Sequence, residues 1–309
     1  MSLRKIVVLG TGGTIAGTAA SAEDNLGYTA AQIGVDRLLA AIPSLQGQQI
    51  ESEQVAQIDS KDMDFEIWLR LAQRCAHWLA QEDTQGIVIT HGTDTLEETA
   101  FFLQAVLSPG KPVVLTCAMR PATALVPDGP QNLLDAMAVA RTPGAQGVVA
   151  VCAGKIHSAL DVQKVHPYRL DAFSSGDAGV LGFVEEGAVR LLRAWPDAPA
   201  IKSPPALSAP HQWPRVDIVM SYAGVDASGV RAMIAQGAAG MVVACTGNGT
   251  LHHDLEAALL EAQAQGVQVV RATRCAEGRV LPGVADALPD ARGLSPVKAR
   301  IALMLALMT

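Results

Sequence analysis

Two short stretches of this chain carry the residue types that could do chemistry. The first is Gly10-Thr11-Gly12-Gly13-Thr14, inside the run IVVLGTGGTIAG at residues 6–17. Ile6 to Leu9 are apolar and mostly β-branched, the pattern of a buried strand. The glycines that follow permit positive φ and let a ligand approach the main chain. Thr11 and Thr14 place hydroxyls in that turn, where an open α/β sheet sets its reactive groups. A threonine hydroxyl is a poor nucleophile unless a base and a fixed orientation support it. The second stretch, His91-Gly92-Thr93-Asp94-Thr95, follows another apolar run at 86–90 and offers a hydroxyl beside a carboxylate. A dinucleotide fingerprint is excluded by spacing: its third small residue falls on Ile15, and no acidic residue follows a second strand at the needed distance.

The elements that must position these turns follow from periodicity. Strands are expected at 6–9, 50–58, 86–90, 112–117 and 147–152, and helices at 35–42, up to Ala80, from Thr95 and over 131–140. Asp59 or Ser60 suits the N-cap of the helix that ends near Ala80, with Asp62 and Asp64 in its first turn. Thr95 and Glu98 read as a capping box. The non-periodic loop 18–33, with Tyr28 in it, is a lid candidate. Residues 154–192 read as hairpins, and the proline-rich stretch 193–215 as a linker. Beyond it, strands at 216–221, 240–245 and 267–271 alternate with helices at 226–236, 252–265 and 295–308. The expected fold is two-domain α/β. A larger N-terminal domain (1–192) has a mainly parallel sheet flanked by helices, and a smaller C-terminal α/β domain covers 216–309.

Composition narrows the class. The 309 residues are 50% apolar with a net charge of −7, a pI near 5.5 and a mean hydropathy of +0.25. No run of Lys or Arg offers a nucleic-acid footprint. No stretch approaches the roughly 20 apolar residues of a membrane span. The start, MSLRKIVVLGTGG, lacks a signal-peptide layout. Cys75, Cys117, Cys152, Cys245 and Cys275 form no metal pattern and read as reduced thiols. A cytoplasmic protein without metal or organic cofactor is expected. His252-His253-Asp254 lacks a further ligand at a usable spacing and reads as a helix N-terminus in water.

Taken in order, the segments resemble the bacterial L-asparaginase/glutaminase family. Its two signatures stand here as Thr11–Ala16 and His91–Thr95. Further matches are Asp59-Ser60-Lys61-Asp62-Met63, AMRP…DGPQNL at 118–133, Asp161-Val162-Gln163-Lys164, and Leu294-Ser295-Pro296 with Ala299-Arg300. The resemblance covers essentially the whole chain. It implies hydrolysis of L-asparagine, with weaker L-glutaminase activity, Thr14 acting as nucleophile and Tyr28 contacting it from the lid. Thr93, Asp94 and Lys164 would form a second catalytic group. Substrate would be held by Ser60, Lys61, Thr93 and Asp94, with main-chain N–H groups near Thr93 and Ala118 as the oxyanion hole. Both a covalent ester on Thr14 and direct attack by water at Thr93 are open, and the covalent route is preferred. His91 is expected to support its turn.

The resemblance also implies a homo-oligomer, a dimer of dimers, with a site completed by a neighbouring subunit. Asn248 or Thr250 could supply a polar group there, and Glu277, Asp286 and Asp290 do not align with the family's glutamate. Lys61 stands where many members carry Gln. Two rival readings are weighed. An amidase subunit of a tRNA-dependent transamidation complex would need a basic patch or extra domains. A non-catalytic amino-acid-binding protein would not need Thr14, Thr93, Asp94 and Lys164 together.

Overall fold

A computed structural model describes residues 4–197, 199–203, 207–281, 283 and 287–308. The chain forms two compact units, Met1–Pro205 and Ala206–Thr309; part of the proline-rich stretch 193–215 lies outside the described residues.

The first unit is built on an eight-stranded sheet. Its strands are β1 (Lys5–Gly12), β2 (Ile50–Ile58), β3 (Thr84–Thr90), β4 (Val113–Thr116), β5 (Val148–Cys152), β6 (Lys155–Ser158), β9 (Gly182–Glu185) and β10 (Ala188–Leu191). A separate two-residue pair, β7 (Gln163–Lys164) and β8 (Phe173–Ser174), lies between β6 and β9 in sequence. The sheet order is β10-β9-β6-β5-β4-β3-β1-β2. Strands β2 to β5 in that order are parallel, and the β6, β9 and β10 end is antiparallel. The central strands are almost continuously apolar because both faces are covered. The edge strand β2, IESEQVAQI, carries polar residues along its length, and only Val55 is buried.

The helices of this unit are α1 (Val35–Ala40), α2 (Phe65–Leu79), α3 (Leu96–Leu107) and α4 (Gly129–Arg141). In α2 the buried residues Ile67, Trp68, Leu71, Ala72 and Cys75 recur at helical spacing and form one stripe. Trp68 stacks on Phe102 of α3, and its indole N–H donates to Thr99 at 2.9 Å. Two expected caps are corrected. Residues 60–62 tighten into a 3₁₀ turn, which Asp59 caps, so the N-cap of α2 is Asp64, accepting from the Ile67 N–H at 2.8 Å. Thr95 makes no capping bond; its hydroxyl donates to the Ser60 carbonyl at 2.8 Å instead.

The second unit has a three-stranded parallel sheet, β11 (Val216–Met220), β12 (Gly240–Cys245) and β13 (Gln268–Thr273), in that order. Helices α5 (Ser228–Ala235) and α6 (His253–Ala264) share a core with Met241, Val243 and Cys245. Helix α7 (Pro296–Leu307) packs on all three strands; a Cβ on Gly240 would lie 2.9 Å from its Leu303. No described helix is long and apolar enough to cross a membrane.

Candidate active site

The order β2-β1-β3-β4-β5 reverses direction between β1 and β3. Such a switch point opens a crevice at the carboxyl edge of a parallel sheet. The turns leaving β1 and β3 are the two stretches singled out above. Gly10 pairs with Thr90 across the two strands, and the Thr11 hydroxyl donates to the Thr90 carbonyl at 2.9 Å. The turns then pack glycine on glycine. Gly12 and Gly13 have φ of 102° and 82°, and a Cβ on Gly13 would come within 2.3 Å of Gly92 Cα. A Cβ on Gly92 would meet the Ser60 hydroxyl at 2.4 Å. The close approach of three turns therefore requires glycine at both places.

Thr14 opens a short 3₁₀ turn, Thr14–Ala16, and is buried. Its hydroxyl lies 2.7 Å from the Tyr28 hydroxyl. The loop carrying Tyr28 is closed over the turn. Thr18 and Thr29 exchange main-chain bonds at 2.9 Å, the Ala122 N–H donates to Gly17, and the Leu125 N–H donates to Ala22. The Ala19 N–H donates to the Thr123 hydroxyl at 2.8 Å. The 119–127 strap that receives the loop is tied to Asp128, whose carboxylate accepts from the Met119 and Arg120 N–H groups, each at 2.9 Å. Sequence alone marks Asp128 only as a residue before a helix; its role as the strap's anchor has no local signal.

Thr93 is buried, and its hydroxyl accepts from Lys164 Nζ at 2.8 Å. The same ammonium donates to Asp94 Oδ1 at 2.5 Å. The Lys164 side chain is 18% exposed and that of Asp94 52%, so the pair sits at the mouth of the crevice with the carboxylate outward. Ser60 is buried and its Oγ accepts from the Asp94 N–H at 3.2 Å, which leaves the hydroxyl hydrogen as a donor. Ala118, fully buried, follows Cys117 beyond the end of β4 and packs with Ile15 and Ala16. Cys117 and Cys152 place their Sγ atoms 3.1 Å apart, and this contact together with burial pushes the Cys117 thiol well up. Thus Thr14 with Tyr28, and Thr93, Asp94, Lys164 and Ser60, are drawn into two bonded groups on neighbouring turns.

Lys61 is placed differently from its neighbours. Its ammonium is paired with Asp59 at 2.8 Å and Asp62 at 3.3 Å, and the side chain is 62% exposed. The Asp59 contact, then that of Asp62, holds the ammonium above its ordinary pKa. His91 is fully buried; its Nδ1–H donates to the Gly92 carbonyl at 2.7 Å. Burial outweighs that bond and lowers its pKa to about 4, so the ring is neutral. Its Nε2 has no partner among the described residues.

In the second unit, both ends of the Asn248 amide are engaged by the main chain of Leu281, at 3.1 and 2.7 Å. Thr250 exchanges bonds with Thr246. Asp290 accepts from the Arg292 N–H, Glu277 is exposed, and Asp286 lies outside the described residues. The potential ligand atoms of His252, His253 and Asp254 lie within 4.8 Å of one another. His252 Nδ1 is already used as the cap of α6, accepting from the Asp254 N–H at 3.3 Å.

Chemically, the crevice offers an oriented buried hydroxyl, a second hydroxyl held by an ammonium, an outward carboxylate and a serine donor. The chain as a whole is similar to known proteins. Residues 5–196 match the family profile described as Asparaginase, N-terminal. Residues 215–309 match that of the Glutaminase/Asparaginase C-terminal domain. A glutaminase-asparaginase of Pseudomonas fluorescens biotype A is 38% identical over 99% of this chain and 86% of its own length. L-asparaginase 2 of Bacillus subtilis is 38% identical over 99% of this chain and 83% of its own. The crystal structure of a protein from Campylobacter jejuni, described as a probable cytoplasmic L-asparaginase, superposes with a TM-score of 0.92. It is 41% identical, covering 98% of this chain and 95% of that one. With both of its units matched along nearly their full length, this chain belongs to the asparaginase family.

Proposed function

We propose that this chain hydrolyses L-asparagine to L-aspartate and ammonia, with weaker action on L-glutamine. The observation that carries the reading is the pair of bonded groups on the β1 and β3 turns, Thr14 with Tyr28 and Thr93 with Lys164 and Asp94. The relatives' names, L-asparaginase and glutaminase-asparaginase, supply the substrate class.

In the covalent route, Thr14 Oγ bonds to the side-chain amide carbon of the substrate while its proton passes to a base. Tyr28 orients the hydroxyl and takes part in that transfer. The carbonyl oxygen becomes an oxyanion near the main-chain N–H groups of Thr93 and Ala118. The proton taken from Thr14 is handed to the amide nitrogen, so collapse breaks the C–N bond, releases ammonia and leaves a β-aspartyl ester on Thr14. Water then adds to the ester carbon: its proton passes to Thr93 Oγ1 as the Thr93 hydrogen moves to Lys164 and Lys164 gives one of its own to Asp94, and Thr14 Oγ takes up a proton as the acid leaves. Ser60 donates to the substrate α-carboxylate, and Asp94 accepts from its α-ammonium with the oxygen that Lys164 does not occupy. Lys61 adds positive charge near the carboxylate, offset by Asp59 and Asp62.

The test is ammonia release from L-Asn and L-Gln by the purified chain and by Thr14→Ala. Release from L-Asn that drops by several orders of magnitude in the variant supports the nucleophile. A variant that keeps its rate shifts the attack to water at Thr93, and a parent inactive on both amides overturns the reading. The cytoplasmic placement rests on the five free cysteines and the Campylobacter relative's description, and recovery of the activity in a periplasmic extract would overturn it. Assembly as a dimer of dimers is carried over from the family resemblance.

A further inference from the structure

Lys164 lies on β7, a strand of only two residues whose antiparallel partner is β8. So short a ladder supplies few main-chain bonds, and a lysine side chain has four further torsions to fix before its ammonium reaches one place. The Lys164 N–H donates to Glu97 Oε2 at 2.6 Å, across 67 residues of sequence. Glu97 stands in the first turn of α3, three residues after Asp94. Lys164 is therefore held at both ends by residues 93–97: the ammonium by Thr93 and Asp94, the main chain by Glu97.

We infer that Glu97 is a positioning residue that anchors the main chain of Lys164 so that its ammonium meets Thr93 and Asp94. This rests on the amidohydrolase reading and deepens it. A carboxylate accepting from a main-chain N–H makes a charge-assisted, directional bond. An acid in the first turn of a helix is also favoured by the helix dipole, but that role needs no contact with a strand far along the chain. Fixing Lys164 to Glu97 makes the second threonine turn and the lysine a single rigid piece, and loss of the anchor lets the ammonium drift from the place where it serves Thr93.

The experiment compares Glu97→Ala and Glu97→Gln with the parent chain, reading kcat and KM for L-Asn and the hydrogen exchange of the Lys164 amide. Glu97→Gln keeps a carbonyl oxygen for the N–H. The expected result for Glu97→Ala is a kcat lower by about 10²-fold with KM within about threefold, as for a displaced catalytic group. Its Lys164 amide exchanges at least about tenfold faster. Glu97→Gln restores most of the rate and the protection. An alanine variant with parental kcat or parental Lys164 exchange overturns the inference, as does a glutamine variant that loses as much as alanine. Should the alanine variant fail to fold, Glu97→Asp, one methylene short of the amide, replaces it with the same expected outcomes. If the parent releases no ammonia, the amidohydrolase reading falls, and the exchange contrast still decides the anchor.

Discussion

Each reactive side chain in the crevice is set by a neighbour that limits what it can do. Ser60 and Lys61 are adjacent in sequence yet differ in kind. Ser60 is buried with a hydrogen to donate, and Lys61 is an exposed cation already paired twice. A hydrogen bond to a charged group is worth about 1.5–3 kcal/mol, so Ser60→Ala should raise KM for L-Asn by roughly ten- to a hundredfold. Exposed ion pairs contribute about 0–1 kcal/mol, so Lys61→Gln should move KM by no more than about fivefold. Steady-state kinetics showing the larger effect at Lys61 would contradict this. His91 is set apart from the chemistry by burial. Its pKa is lowered to about 4 in the folded chain, against about 6.5 when unfolded. The unfolded chain thus binds more protons between those values. The stabilisation from the neutral ring is complete above pH 6.5 and is lost as pH falls through the window to about 4, at most roughly 3 kcal/mol. Denaturant titrations of the parent and of His91→Gln should show a steeper loss in the parent over that window, and equal slopes would refute it. The threonines, Asp94 and Tyr28 were legible as residue types in order. Glu97 and Asp128 were not, because their partners are set by tertiary contact and not by local spacing.

The elements around the crevice fall into rigid and docked classes. The parallel strands were readable because burial on both faces leaves an apolar run. The caps were harder: residues 59–64 hold three acids, and only the 3₁₀ turn at 60–62 decides that Asp64 caps α2. The loop 18–33 has no period to read. It is ordered by bonds to the 119–127 strap, and the one side-chain contact among those described is the Thr123 hydroxyl accepting from Ala19. Thr123→Val removes that acceptor at nearly constant shape. The loss of about 1 kcal/mol from the closed state should lower kcat/KM for L-Asn about fivefold with the melting temperature nearly unchanged. An unchanged kcat/KM would mean that the main-chain bonds, with the Tyr28–Thr14 and Gln57–Ala31 contacts, hold the loop shut without Thr123.

At the scale of the molecule, each unit repeats one logic, a parallel set of strands covered by helices, extended in the first unit by an antiparallel end. Alternation of strands and helices makes that architecture readable. Partners between subunits leave no such pattern, since an interface is a property of surfaces brought together from distant residues. The family resemblance supplies the expectation that light scattering will give about four times the 32.2 kDa of one chain; a monomer mass at micromolar concentration would remove it. The strand order has a further consequence for how the protein is made. Strand β1 leaves the ribosome before its partners β2 and β3, and Gly10 meets Thr90 only after some 80 further residues have been synthesised. The two threonine turns thus come together only once the loop between them has closed. Regained turnover for this reason reports that the long-range pairing of β1 with β3 has formed, and a refolding chain acquires helix before it acquires a working crevice.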